Sequence, residues 1–108
     1  MSTRSEQEAA YFTLLRAREE HADLLTFREL LDEELRRLDG FIAETRAVGE
    51  RMPRRLRKPV EQTTRQVLEA VGRRRAAIED ERRKVDQRIS DAQDFVEECE
   101  ADAARLRG

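Results

Sequence analysis

The chain has 108 residues, enough for one domain, and its 22 basic and 24 acidic residues give a net charge of −2. Charged residues make up 43% of the sequence and aromatic residues only 5%, with four glycines and two prolines. This composition argues against a β-sandwich or barrel, which needs turn-forming residues and β-branched or aromatic runs, and against a compact α/β enzyme. It is typical of a long helix or a coiled coil.

The sequence contains no stretch of about 18 uncharged apolar residues, so no membrane span is predicted. Its first residues, MSTRSEQEAA, lack the apolar core of a signal peptide, and its single cysteine cannot form an intrachain disulfide. From these features we expect a cytoplasmic protein with no membrane association.

Two helices are predicted in chain order, at about 5–50 and about 60–106, with a basic turn at about 51–59 between them. Ser5 and Glu8 have the spacing of a capping box, which is a signal for the start of a helix. Both prolines of the chain lie in the predicted turn, and proline disfavours a helical conformation in the residue before it.

An apolar residue recurs every seven positions in each predicted helix, which is the repeat of packed, supercoiled helices. In the first helix this core row is Ala10, Ala17, Leu24, Leu31 and Leu38. In the second helix it is Val71, Ile78, Val85, Ala92, Cys99 and Leu106. The predicted companion row, three or four residues away, is Phe27, Phe41 and Val48 with Val60, Val67 and Phe95.

The two rows also predict how the helices pair. When residues are matched so that their numbers sum to 108 or 109, most apolar residues meet apolar residues, Glu34 meets Arg74, and Glu20 meets Arg88. Phe27 opposite Glu81 is the layer that does not fit. A constant sum is the signature of antiparallel helices. We therefore predict an all-α fold in which residues 1–108 form a single domain, a long antiparallel, coiled-coil-like helical hairpin.

A third apolar position per heptad exceeds what two helices need and is typical of a helical bundle. We expect this stripe to mediate self-association, so that two hairpins form a homodimeric four-helix bundle. The alternative is that a helix of a different protein covers it. The self-association stripe consists of Leu14, Leu35, Ile42, Leu68, Ile89 and Val96.

The sequence offers no pattern of residues suited to catalysis, to a cofactor or to a metal. The single histidine, His21, has no metal-ligand cluster around it, and Cys99 falls in the core row, where a small buried apolar role is expected. Gly40 and Gly72 lie within the predicted helices, either as tolerated surface glycines or as a point of close approach. We therefore expect no enzymatic activity.

Positive charge is concentrated around the turn. Residues 36–75 carry 12 basic and 5 acidic side chains, a net charge of +7, whereas the rest of the chain is acidic. This cluster is either a solvated turn, a docking tip for an acidic partner or for the acidic end of another copy, or a site for nucleic acid or anionic lipid. The last is disfavoured because no aromatic residue accompanies the arginines for base stacking. The tip consists of Arg51, Arg54, Arg55, Arg57 and Lys58.

These observations predict a non-catalytic interaction protein, such as a scaffold, an adaptor or a chaperone-like subunit. It would self-associate and dock a protein partner through its helical faces and its basic tip. The alternative is a nucleic-acid-binding accessory protein that uses the arginine-rich turn.

Overall fold

The computed structural model describes residues 3–108, which form two long helices. Helix α1 spans Arg4–Glu50 and helix α2 spans Arg54–Arg107. The predicted all-α fold with two long helices is confirmed. Neither helix carries, within the part of the chain that the structure describes, an apolar run long enough to cross a bilayer.

The described residues form two compact units, each containing a segment of both helices. The terminal unit contains the residues up to Glu29 together with Arg83–Gly108, and the turn unit is Leu30–Arg82. Within each unit the α1 segment runs antiparallel to the α2 segment. The turn unit is therefore a helical hairpin of its own.

Helix α1 begins one residue before its predicted start. Its N-cap is Thr3, whose Oγ1 accepts a hydrogen bond from the backbone N–H of Glu6 at 3.1 Å. The prediction of Ser5 as the cap was wrong, because Thr3 and Glu6 have the same capping-box spacing as Ser5 and Glu8. Capping at the earlier position adds helical residues to α1.

The connection between the helices is only three residues long. The N–H of Met52 donates to the carbonyl of Gly49 at 3.2 Å, and Nε of Arg57 donates to the carbonyl of Met52, also at 3.2 Å. Pro53 directly precedes the first residue of α2, a position where the missing N–H of proline costs little. One predicted tip residue, Arg57, thus helps to close the turn.

Helix α2 starts well before its predicted start near residue 60, so the turn predicted at about 51–59 was too long. Pro59 lies inside α2, about one turn from its beginning, and is exposed. It removes only the backbone bond to the carbonyl of Arg55, four residues earlier. Thr63 lies one turn further along α2, and its hydroxyl donates a hydrogen bond to the carbonyl of Pro59 at 3.3 Å.

The terminal unit holds most of the buried apolar residues. Val85 is fully buried, and Leu24 is 7% exposed. A cluster of buried side chains lies nearer the chain ends, and Ala103 packs against it. The buried residues of this unit are Leu14, Ala17, Leu24, Val85, Val96 and Cys99. Four of them belong to the predicted core row, which is thereby confirmed as facing the partner helix.

The turn unit has a much thinner core. Leu38 is its one buried apolar residue among those described. Nearer the turn, four residues with small side chains are half-buried and line the two grooves there, and they are Thr45, Gly49, Val60 and Thr64. These small side chains leave space between the helices, so the turn unit is packed less tightly than its sequence pattern suggests.

The structure reverses the predicted roles of the self-association stripe and the companion row. Two members of the predicted self-association stripe, Leu14 and Val96, lie in the core of the terminal unit. The other members, which are Leu35, Ile42, Leu68 and Ile89, are half-buried. The predicted companion row is instead largely exposed, at Phe41, Val48, Val67 and Phe95. The expectation that the stripe is the uncovered apolar surface was therefore wrong for Leu14 and Val96.

Replacing either Gly40 or Gly72 with alanine should stabilise the fold. A Cβ atom at either position would have nothing within 4 Å, and neither glycine has a positive φ, so the structure offers no close approach. Because alanine costs less backbone entropy in a helix, each substitution should add about 0.5–1 kcal/mol to the free energy of unfolding, measured by urea titration. The reverse change at an exposed site, Ala43→Gly, should remove a similar amount. A loss of stability in Gly40→Ala would contradict the expectation.

Candidate interaction surface of the turn unit

The exposed large apolar side chains of the turn unit lie on one side of it. Phe41 and Val48 are one heptad apart on α1, and Leu56 and Val67 are eleven residues apart on α2, spacings that keep side chains on the same side of a helix. Their exposed fractions range from 38% to 60%. We call this surface the apolar face, and it consists of Leu30, Phe41, Val48, Leu56 and Val67.

An ion pair fixes the relative position of the helices on this side. Nε and Nη2 of Arg74 donate to Oε1 of Glu34 at 3.1 and 3.0 Å, as the antiparallel pairing predicted. One heptad further along each helix toward the turn come Phe41 and Val67, which therefore lie at the same level. The predicted pairing of Glu34 with Arg74 is confirmed, and it places the middle of the apolar face.

The side chain of Glu34 is only 18% exposed and is held by two arginines. Nη2 of Arg37 lies 2.5 Å from its Oε2, and Arg74 binds the other oxygen. The pKa of Glu34 is held below its ordinary value of 4.5, chiefly by the hydrogen bond from Arg37 and next by that from Arg74. Glu34 is thus a charged clasp between the helices at the edge of the apolar face.

The other side of the turn unit is lined with ion pairs. Asp32 Oδ1 lies 2.7 Å from Nε of Arg82, and Asp39 Oδ1 lies 2.6 Å from Nε of Arg75. Arg75 also binds Glu79, one turn further along α2. Asp39 is two residues from Phe41, about 200° around the helix, so these charges lie opposite the apolar face. The turn unit therefore has one charged side and one apolar side.

Acid should destabilise the turn unit through Glu34 and Asp39. Arg75 holds the pKa of Asp39 below its ordinary value of 3.8, as the two arginines do for Glu34. A carboxyl group with a lowered pKa in the folded state stabilises the fold above its ordinary pKa and loses that contribution as the pH falls through the folded value. We expect the urea midpoint to fall as the pH drops below 4.5.

A double variant, Glu34→Gln with Asp39→Asn, tests whether these two carboxyl groups cause the loss of stability in acid. It should be less stable than the original chain at neutral pH and should lose less stability on acidification, because the two titrating groups are gone. Circular dichroism measures the stability of both chains as the pH falls. Equal losses of stability in the two chains would count against this assignment.

All five residues of the predicted tip are exposed. Arg51 lies in the connection directly after α1, and the other four lie in the first turns of α2. Arg57 is engaged in the turn through its bond to Met52. Within residues 3–108, the other four, Arg51, Arg54, Arg55 and Lys58, make no side-chain ion pair, so their charges face solvent.

Two grooves lie between the helices near the turn, one on each side of the turn unit. The sequence did not predict these grooves. The groove on the charged side has a volume of about 820 Å³, with Leu68 on its lining and charged residues such as Arg46 and Glu61 around it. The groove on the apolar face has about 310 Å³ and includes Phe41 and Val48. Both exist because the residues between the helices there are small.

The terminal unit contains the predicted pair Glu20 and Arg88, the single cysteine, and three exposed aromatic side chains, Tyr11, Phe12 and Phe95. Glu20 and Arg88 border the same cavity, but no ion pair joins them in the described part of the chain. Burial, and next the nearby Asp102 and Glu98, raise the pKa of the Cys99 thiol, so this thiol is protonated and inert at neutral pH. Among residues 3–108, no group of three His, Cys, Asp or Glu side chains is arranged to hold a metal ion.

No protein family, no curated protein and no solved structure gives a significant match to this chain.

Proposed function

We propose that this chain is a non-catalytic helical interaction protein, acting as a scaffold, an adaptor or a chaperone-like subunit. The observation that carries the proposal is the gathering of the exposed large apolar side chains of the turn unit on one side of it. Soluble proteins rarely leave a contiguous apolar patch uncovered, and such patches mark sites of association.

The shape and chemistry of this side suit a helical partner. Phe41 and Val67 form its middle, the groove beside Phe41 and Val48 offers a recess, and the Glu34 clasp marks one edge. A partner helix or helical pair could lay its own apolar side against these residues and complete the thin core of the turn unit. Association through this face would give the predicted four-helix assembly.

The tip adds a charged element to the same end of the turn unit. Arg54 and Arg55 are exposed guanidinium groups next to Leu56, which belongs to the apolar face. Arginine forks suit carboxylates, so an acidic segment beside the apolar contact is the complement that this arrangement favours.

Adding a charge to the apolar face tests the proposal. Val67→Glu should abolish concentration-dependent association, because it places a carboxylate in the middle of the contact. Gln62→Glu, which adds the same charge at an exposed α2 position five residues away, should leave association unchanged. Sedimentation over a concentration series measures the association of both variants. Equal association of Val67→Glu and Gln62→Glu would contradict the proposal.

The exposed cations of the tip favour one second candidate, a nucleic-acid-binding accessory protein. Its binding to random DNA or RNA should weaken steeply as salt rises, and replacing Arg54 and Arg55 with alanine should flatten that dependence. Affinity that is absent at low salt, or that is insensitive to salt, would remove this candidate.

A further inference from the structure

We propose that the end of the turn unit that carries the connection docks onto a lipid bilayer whose surface contains anionic phospholipids. The exposed cations of the tip contact the headgroups, and Leu56 lies among them at the boundary of the acyl chains. This inference goes beyond the proposed function, because it concerns the end of the turn unit and not the middle of its apolar face. It departs from our expectation of no membrane association, which rested in part on the lack of an apolar span, because a peripheral contact needs no span.

Positive charge at this end has no partner inside the chain. Elsewhere in the turn unit, Arg74 and Arg75 of α2 reach across to carboxylates of α1, which are Glu34 and Asp39. The tip cations that are exposed and make no side-chain ion pair within residues 3–108 are Arg51, Arg54, Arg55 and Lys58. These four charges are therefore available to an external anion.

Carboxylates are scarce near this end. Residues 50–58 contain five cations and one carboxylate, Glu50, which lines the groove on the charged side, so the net charge there is +4. The next carboxylates along the two helices are Glu44 and Glu61, each about 10 Å of helix from the tip. That distance is about one Debye length at physiological salt, so these two carboxylates are screened from a surface that faces the end.

Helix geometry directs the side chains of the tip toward the end. Each Cα–Cβ bond of an α-helix is tilted toward the helix N-terminus, and the N-terminus of α2 is at the turn. The side chains of Arg54, Arg55 and Lys58 therefore lean toward the end of the turn unit, where Arg51 lies in the connection. Lys58 is one helical turn further from the end than Arg54, a distance that its four-carbon stem spans. A flat anionic surface that faces the end meets all four cations at once.

An apolar side chain accompanies these charges. Leu56 is 42% exposed and lies between Arg55 and Arg57 in the first turn of α2, and Pro53 just before the helix is also exposed. Binding to a bilayer surface increases both with the apolar area buried at the level of the headgroups and with attraction to anionic lipids. Leu56 thus supplies the apolar part of the contact.

A bilayer fits this end better than nucleic acid or a protein segment does. The nearest aromatic residue, Phe41, is ten residues before Arg51, so the tip has no side chain on which a base could stack. Neither groove near the turn is lined by the four cations without ion pairs, so these cations do not border a recess for an extended peptide. An acidic segment beside Leu56 reaches Arg54 and Arg55, whereas a flat surface also engages the other two cations.

Sedimentation with lipid vesicles tests the proposal on the full chain. The chain should bind vesicles made of equal parts of phosphatidylglycerol and phosphatidylcholine, should not bind vesicles of phosphatidylcholine alone, and should dissociate as salt rises. Each basic side chain near an anionic surface strengthens binding about fivefold. Replacing Arg54, Arg55 and Lys58 with glutamine should therefore weaken binding about 100-fold, and helicity should be kept because glutamine is a comparable helix former.

A matched triple variant removes the same charge elsewhere in the turn unit. Arg36, Arg65 and Arg73 are exposed and lie more than about 15 Å of helix from the tip. Replacing these three with glutamine should change vesicle binding by no more than about threefold, because the Debye length is shorter than that distance. Equal losses in the two triple variants, or equal binding to the two kinds of vesicle, would overturn the proposal.

Soluble polyanions separate a bilayer from other acidic partners. Binding to DNA or to polyglutamate that is as tight as binding to vesicles, at the same concentration of anionic groups, would overturn the bilayer as the partner. If the chain does not bind vesicles but Val67→Glu still abolishes association, the lipid contact fails and the proposed function stands. If the chain binds vesicles but Val67→Glu leaves association unchanged, the proposed function fails and the lipid contact stands.

Discussion

Replacing Leu24 with alanine is expected to lower the free energy of unfolding by about 2–5 kcal/mol. Leu24 is 7% exposed and belongs to the buried row of the terminal unit, where Ala17 is its neighbour two turns away. Removing most of its side chain loses apolar burial and leaves a cavity that two rigid helices cannot collapse to fill. Urea titration followed by circular dichroism measures the change.

The matched control is another leucine on the same helix. Leu30 is 60% exposed, so Leu30→Ala should change the free energy of unfolding of the single chain by no more than about 0.5 kcal/mol. Similar losses for Leu24→Ala and Leu30→Ala would show that the seam between the helices has been assigned to the wrong residues.

Backbone amides of the turn unit are expected to exchange with solvent on the order of 100-fold faster than those of the terminal unit at low protein concentration. The turn unit has one buried apolar side chain, Leu38, whereas the terminal unit has six. Each buried aliphatic side chain contributes about 1.5–3 kcal/mol, and local opening costs least where few of them are broken. Hydrogen exchange resolved by peptide measures this difference.

Raising the protein concentration should reduce the difference in exchange rate between the two units. If the apolar face is covered by association, protection of the turn unit rises with concentration and protection of the terminal unit changes less. Val67→Glu should abolish the rise. Uniform protection of both units at every concentration would contradict both the thin core and the proposed association.

The sequence was sufficient to predict the two long helices and one row of their contact. The row from Ala10 to Leu38 and the row from Val71 to Leu106 recur every seven residues, and their most buried members, such as Leu24 and Val85, lie between the helices. The pairing of Glu34 with Arg74 followed from the same arithmetic. A heptad row is readable because it repeats over many turns.

The second row could not be read from periodicity, since both positions beside the first row carry apolar residues. Phe41 and Val48 stand on one side, and Leu35 and Ile42 on the other. The row that becomes buried is hard to recognise because it includes charged residues such as Arg82, whose side chain is only 25% exposed and pairs with Asp32. The structure shows that Arg82 is largely covered, whereas Phe41 and Val48 are exposed.

Helix ends were predicted less well than helix faces. Thr3 and Ser5 both satisfy the requirements of a cap, and Pro53 and Pro59 both suit the start of α2. The earlier residue is used in each case because it lengthens a helix whose further turns can pack against the other. The tip residues were placed correctly at the turn, whereas the role of Arg57 in closing it depends on a backbone carbonyl that sequence patterns do not show.

The clasp at Glu34 has a consequence for how the chain avoids misfolding. Sliding α2 by one heptad along α1 would leave the apolar rows matched, so apolar contacts alone distinguish such slipped pairings poorly. Slippage would, however, set Glu34 against Val67 in one direction and against Glu81 in the other, losing a two-point hydrogen bond or opposing two carboxylates. Together with a connection only three residues long, this single glutamate favours the native alignment, because only there does its carboxylate accept both hydrogen bonds from Arg74.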